Sequence, residues 1–221
     1  MTASLEPTVL QATPADLVGT ARGLVSPGRR TLLGITGAPG AGKSTLAEFL
    51  VRGLGDAAVG ISMDGFHLSN TELTRLGRLE RKGAPDTFDA AGFVHLLRRL
   101  RDGHDDVVYA PVFDRSLEES IGSAAPVPAT VPLVVVEGNY LLADGPYWGQ
   151  VRGLLDECWY LDPGEQVRVE WLLARHRRYG RSEAEAQERS SGSDGANARL
   201  VAGTRARATR VIEVLGLDVT S

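Results

Sequence analysis

Apolar residues in this chain fall into short unbroken runs. Thr31–Thr36 (TLLGIT), Ala57–Met63, Val107–Phe113, Leu133–Val136, Cys158–Leu161 and Val211–Leu215 each predict a strand covered on both faces. Helical spacing fills the gaps. Thr13-Pro14-Ala15-Asp16 reads as a helix start, with Thr as N-cap, Pro next and an acid three residues on. Leu17, Val18, Ala21, Leu24 and Val25 follow on one face, and Ser26-Pro27-Gly28 reads as the stop. Further helices are predicted over about 44–54, 72–76, 90–103 (capped by Asp89), 148–155, 166–179 and 197–210. Residues 122–132, with three Pro, read as loop, and the Glu/Ser/Gly-rich stretch 182–196 as a mobile segment.

Strands alternating with helices predict an α/β fold: a mostly parallel sheet between two helical layers. The expected organisation is one domain over 1–221, with an N-terminal helical part (1–29) and a small lid segment near 175–197. Ligands in such sheets bind beyond the C-terminal strand ends. Gly37–Ser44, Asp64, Asp114 and Glu137 all follow such ends and are expected to converge.

The first of these segments carries the strongest signal. Gly37-Ala38-Pro39-Gly40-Ala41-Gly42-Lys43-Ser44 fits G-x-x-x-x-G-K-[ST] between a strand and a helix, with Thr45 next. Such a loop curls so that successive N–H groups point at phosphate oxygens, and the helix aims its positive end at the same place. The arrangement predicts the three-layer fold of P-loop nucleoside triphosphatases. Lys43 would reach the β/γ-phosphates and the Ser44 hydroxyl would ligate Mg²⁺.

Charge sharpens this reading. The 221 residues include 22 Arg but only two Lys, so a Lys inside the motif is unlikely to be there by chance. The net charge of −4 argues against nucleic acid as partner, and no run reaches the roughly 18 apolar residues of a membrane span. The lone Cys158 excludes an intrachain disulfide framework and suits a reducing, cytoplasmic setting. Ten Arg and six acids lie within 165–210, giving +4 there and −8 elsewhere. Arg168, Arg175 and Arg178 fall within about 80° on a helical wheel, which suits either a phosphate-closing lid or a solvated face.

Two acids complete the chemistry. Asp64 follows a strand and can align or deprotonate an acceptor hydroxyl, hold Mg²⁺ through water, or cap the turn before Gly65. Glu137 ends the strand LVVVE, where a carboxylate can organise Mg²⁺. His67, Arg115 and Asn139 also follow strand ends, placed to meet an acceptor or else to pack and hydrogen-bond at the surface. Lys82 reads as solvated, Met63 and Trp171 as core, His95 as exposed and Cys158 as a buried thiol.

SMDGFH (62–67), PDTFD (85–89), PVFDRS (111–116), VVVEGNYLL (134–142) and the Arg-bearing helix occur in an order that resembles the phosphoribulokinase/uridine kinase family. The DGFH form, RKGAPDTFD and SDGANARLV look closest to the bacterial fructose transport system kinase-like and pantothenate kinase-related group. The resemblance covers about residues 30–215. It implies Asp64 as the catalytic aspartate, Ser44 and Glu137 at the metal, and Arg168 and Arg175 in the helix leading to the lid. Departures point away from a nucleoside: Phe113 stands for the acceptor-site Tyr of uridine kinases, Trp171 for a lid arginine, and no His follows PVFD.

The expected activity is transfer of a phosphoryl group from Mg²⁺-bound ATP to a hydroxyl of a sugar, pantothenate-like compound or nucleoside. Lys43, Asp64 and Arg175 are the expected catalytic groups. A regulatory ATPase without an acceptor is the rival reading. A homo-oligomer is left open.

Overall fold

A computed structural model describes residues 6–26, 28–180 and 182–219. Its centre is a six-stranded, all-parallel sheet in the order β1 (Thr8–Ala12), β8 (Arg210–Val214), β7 (Glu157–Leu161), β2 (Thr31–Thr36), β6 (Leu133–Glu137), β3 (Ala58–Ser62). The unbroken apolar runs are explained by two cores, one on each face. Along β6, Leu133 and Val135 face one core while Val134 and Val136 face the other. Along β7, Trp159 and Leu161 alternate in the same way with Cys158 and Tyr160.

On one face α1 (Pro14–Arg22) and α2 (Lys43–Leu54) cover the sheet with Leu17, Leu46 and Leu50. On the other, α4 (Ala90–Asp102) and α5 (Trp148–Leu154) contribute Phe93, Leu97, Trp148 and Val151. The predicted caps form. Thr13 and Asp16 make a reciprocal capping box on α1, and the Asp89 carboxylate accepts from Gly92 N at 2.8 Å on α4. Met63 and Cys158 are fully buried and His95 is exposed, as expected.

Several expectations are corrected. Residues 8–12 form an edge strand before the first helix. That helix ends at Arg22 with Gly23 as cap, ahead of the expected stop, of which Pro27 lies outside the described residues, as do 1–5 and 220–221 at the ends of the expected domain. Val107–Phe113 does not join the parallel sheet. Its strand β4 (Val107–Asp114) pairs antiparallel with β5 (Glu119–Pro128), the segment expected to be loop. In a two-stranded hairpin each strand has a free edge, where Pro126 and Pro128 lose no ladder bond. Asp114, expected to converge on the site, turns this hairpin instead, accepting from Ser116 N (2.8 Å) and Leu117 N (3.2 Å). Finally, 182–196 is helical. A Ser182–Glu185 capping box starts α7 (Glu183–Ser191), Ala186 and Ser190 are buried, and α8 (Ser193–Ala202) begins earlier than expected.

Candidate active site

The P-loop leaves β2 and feeds α2, whose N-cap is Gly42. Gly40 has φ +85°, and a Cβ there would lie 2.7 Å from the Arg168 carbonyl and 2.8 Å from Leu172 Cβ. The loop therefore packs directly on α6 (Glu165–Arg178). Lys43 is buried and donates to Ala38 O at 3.1 Å. Burial pushes its ammonium down to about 8; Glu137 opposes the shift, Arg175 adds to it, Asp64 opposes and Arg115 adds.

Asp64 sits on the short turn Met63–Phe66 after β3, where its N–H donates to Ser62 Oγ at 3.1 Å. Its Oδ2 accepts from Arg115 Nη2 at 3.0 Å. The turn fits beneath β4 only because residue 65 is glycine, since a Cβ there would lie 2.3 Å from Pro111 O. Glu137, buried at the end of β6, accepts a hydrogen bond from the Ser62 hydroxyl. Burial raises its carboxyl above the usual range, the charge of Asp64 raises it further, and Lys43 pulls it back. His67 Nδ1–H donates to the Asp64 carbonyl (2.8 Å), and the ring packs on Phe88 and Phe113, with centroids 4.0 and 4.8 Å away. Burial holds its pKa down.

These groups form the wall between two cavities. A larger one, about 690 Å³, runs over Gly40, Gly42, Ser44 and Thr45 to Trp171 and Arg178. A smaller one, about 180 Å³, is lined by Pro39, His67, Phe88, Asn139 and the side chains facing them from α7 and α8. Lys43, Ser44, Asp64, Arg115, Glu137 and Arg175 line both. The expected site residues thus come together, with exceptions. Ala41 packs into the core beneath the loop, and Gly37 lines neither cavity. Ala38 and Arg168 face a separate cleft behind the loop.

The three arginines of α6 have different surroundings. Arg168 is buried, with Nη1 on Pro39 O (2.8 Å) and Nε and Nη2 on Glu165 (2.8 and 2.6 Å). It braces the P-loop from outside rather than facing the cavity. Arg175 makes no hydrogen bond or ion pair among the described residues and opens onto both cavities. Burial lowers its pKa, and Arg115 adds to that. Arg178 lines only the larger cavity.

Several residues with other expectations belong here too. Trp171 is half-buried and lines the larger cavity beside Gly42, so it is not core. Lys82 faces the smaller cavity rather than solvent, and its Nζ lies 5.0 Å from the Phe113 ring centre. Its scarcity, one of two lysines, was a usable signal. Arg189, His176, Tyr179 and Asp194 also reach this cavity; of these, Asp194 belongs to the SDGANARLV segment that the sequence singles out.

Among the described residues no group of three or more His, Cys, Asp or Glu is set to hold a metal, and no helix is long and apolar enough to cross a membrane.

Known proteins place this arrangement in context. A Schizosaccharomyces pombe protein provisionally named a uridine kinase is 35% identical over 184 residues, covering 78% of each chain. A pantothenate kinase of Mycolicibacterium gilvum is 30% identical over 75% of this chain and 54% of its own length. The solved structure of a protein from Silicibacter sp. TM1040, provisionally described as a fructose transport system kinase, superposes with a TM-score of 0.82 at 37% identity, over 90% of this chain and 98% of that one. The sequence model of the Phosphoribulokinase / Uridine kinase family matches residues 32–216, and the chain belongs to that family.

Proposed function

We propose that this chain is an ATP-dependent kinase that phosphorylates a hydroxyl of a small metabolite. The observation that carries the reading is the place of Asp64, in the wall shared by the P-loop cavity and a second, smaller one. A carboxylate there stands between a nucleotide and an acceptor, and a regulatory ATPase has no use for the second cavity. The P-loop amides and Lys43 hold the phosphates. Trp171, with Thr45 and Val219, offers the base a partly apolar wall.

Asp64 orients the acceptor hydroxyl and receives its proton. Arg115 must first leave or share that carboxylate. Arg175, which makes no hydrogen bond or ion pair among the described residues, faces the transferring phosphoryl and stabilises its charge. Mg²⁺ fits the donor set. Asp64 and Glu137 repel each other across the wall beside the Ser44 hydroxyl, and Mg²⁺ commonly takes one or two carboxylates together with phosphates and water. Ser44 and Glu137 would hold it, and when bound it neutralises charge on the phosphates.

The test is ATP turnover by wild type and Asp64→Asn against a panel of hydroxyl compounds. Acceptor-dependent ADP release that falls by about 10³-fold or more in the variant, with ADP still bound, is expected. Turnover that no acceptor stimulates would favour the regulatory ATPase.

A further inference from the structure

Two cations belong to the smaller cavity alone, and no carboxylate among the described residues holds either one in an ion pair. Lys82 donates to neutral oxygens, Asn70 Oδ1 at 2.7 Å and the Glu118 carbonyl. Arg189, on α7, makes no hydrogen bond or ion pair among the described residues. Burial lowers the Lys82 ammonium pKa, Glu118 and Glu119 oppose this, and the charge of Arg189 lowers it further, so the two cations feel each other across the cavity. Asp194, an acid at the same end, is engaged by His176 Nε2 at 2.8 Å.

The Lys82 segment is also held in place. Gly83 O accepts from the Tyr140 hydroxyl (2.6 Å) and from Asn197 Nδ2 (3.2 Å), and Pro85 O accepts from Trp148 Nε1 (3.1 Å). Three separate elements thus fix a loop whose lysine points inward over Phe113. A solvated lysine needs no such support. Lys82 and Arg189 face one small cavity with no carboxylate in ion-pair contact among the described residues, although Asp194 feels the charge of Arg189, and an anion between them gains charge-assisted hydrogen bonds from both. The volume, about 180 Å³, leaves room for a small compound only.

We propose that Lys82 and Arg189 form a binding site for an anionic group, carboxylate or phosphoryl, carried by the acceptor a few bonds from the hydroxyl that faces Asp64. The assignment rests on the kinase reading above and narrows its substrate class to hydroxy acids and sugar phosphates. Their anion binds at Lys82 and Arg189 while their hydroxyl lies at Asp64.

Matched pairs that differ only in the anion test this on the full chain: glycerate against glycerol, pantothenate against pantothenol, ribose 5-phosphate against ribose. Binding to the ADP-loaded protein is read by calorimetry and turnover by ADP release. At least one anionic member is expected to bind and react at least tenfold better than its neutral partner. The carboxylate and phosphate pairs identify which anion is used. Lys82→Ala and Arg189→Ala should each weaken that preferred compound roughly 10- to 100-fold in kcat/KM, mainly through KM. ADP-induced thermal stabilisation confirms that each variant is folded. Neutral members that bind and react as well as the anionic ones would overturn the anion site and leave the kinase reading standing. Failure of every anionic compound to bind the ADP-loaded protein would also overturn it. Acceptor-independent ATP turnover would instead overturn the kinase reading.

Discussion

Arg115 Nη2 lies 3.0 Å from Asp64 Oδ2, so a residue of the β4–β5 hairpin turn is paired with the carboxylate on the turn that follows β3. The same guanidinium lies 5.8 Å from the Phe113 ring centre and 5.9 Å from that of Tyr179 at the end of α6. One side chain therefore links the hairpin, the proposed base and the Arg-bearing helix. Both partners are partly exposed, so the pair itself adds little stability. Its value lies in aiming Asp64. Arg115→Ala is expected to lower kcat/KM for the acceptor roughly 10- to 100-fold, with Tm nearly unchanged. Wild-type kcat/KM in steady-state assays would show that Asp64 is aimed without Arg115.

Lys43 links nucleotide binding to pH. Its ammonium is held down to about 8 in the free protein, chiefly by burial. Phosphate oxygens favour the charged form, so ADP binding between about pH 8 and 10 should take up a proton. Affinity should fall as pH rises through 8. Calorimetry of ADP without Mg²⁺, in buffers of different ionisation enthalpy, reads the uptake directly; a buffer-independent enthalpy at pH 9 would contradict it.

The same shift sets a stability trend. The folded value lies below the ordinary 10.5, so between about 8 and 10.5 the unfolded chain holds more of this proton. In that window Lys43 contributes stability that grows as pH rises. Lys43→Met should flatten that part of the pH dependence of the unliganded protein, measured by denaturant unfolding.

Arg168 and Arg175 should separate stability from catalysis. Arg168→Ala removes a buried guanidinium and leaves Pro39 O without its donor, so a loss of about 1–3 kcal/mol is expected in thermal unfolding. Arg175→Ala breaks no hydrogen bond among the described residues. Its Tm should hold while kcat falls on the order of 10³-fold. Equal behaviour of the two variants would show that neighbours on one helix face share one role here.

Gly65→Ala tests the close approach under β4. A Cβ 2.3 Å from Pro111 O forces the hairpin away from the turn. Overpacking of this kind costs roughly 1–3 kcal/mol. It should also disturb Arg115 and Asp64 together, so acceptor kcat/KM is expected to drop more than ADP affinity. An unchanged Tm would show that the hairpin can shift freely.

Much of the fold was legible because local physics and global need agreed. The runs at 31–36, 133–136 and 158–161 are strands since both faces of each are buried, and the G-x-x-x-x-G-K-S loop sits between strand and helix. Where the two levels diverge, the reading failed. Pro126 and Pro128 look like loop residues, yet an edge strand tolerates them. Residues 182–196 look polar and open, yet Ala186 and Ser190 pack inward, and the Ser182–Glu185 spacing was the clue to a helix.

The site divides along the same line. Gly37–Ser44, Asp64 and Glu137 are readable because phosphate binding and metal organisation require particular residue types at particular strand ends. Which arginine faces the cavity is not readable. Arg168 and Arg175 lie on nearly the same helical bearing, and only packing against Pro39 and Glu165 withdraws Arg168 from it. Lys82 and Arg189 are more than a hundred positions apart, in segments with no shared motif. Long-range packing of α7, α8 and the pinned 82–88 loop brings them to one cavity. Backbone and phosphate chemistry act over a few residues and leave a mark in the chain. The convergence of side chains on an acceptor is set by contacts distant in sequence, and only the folded molecule shows it.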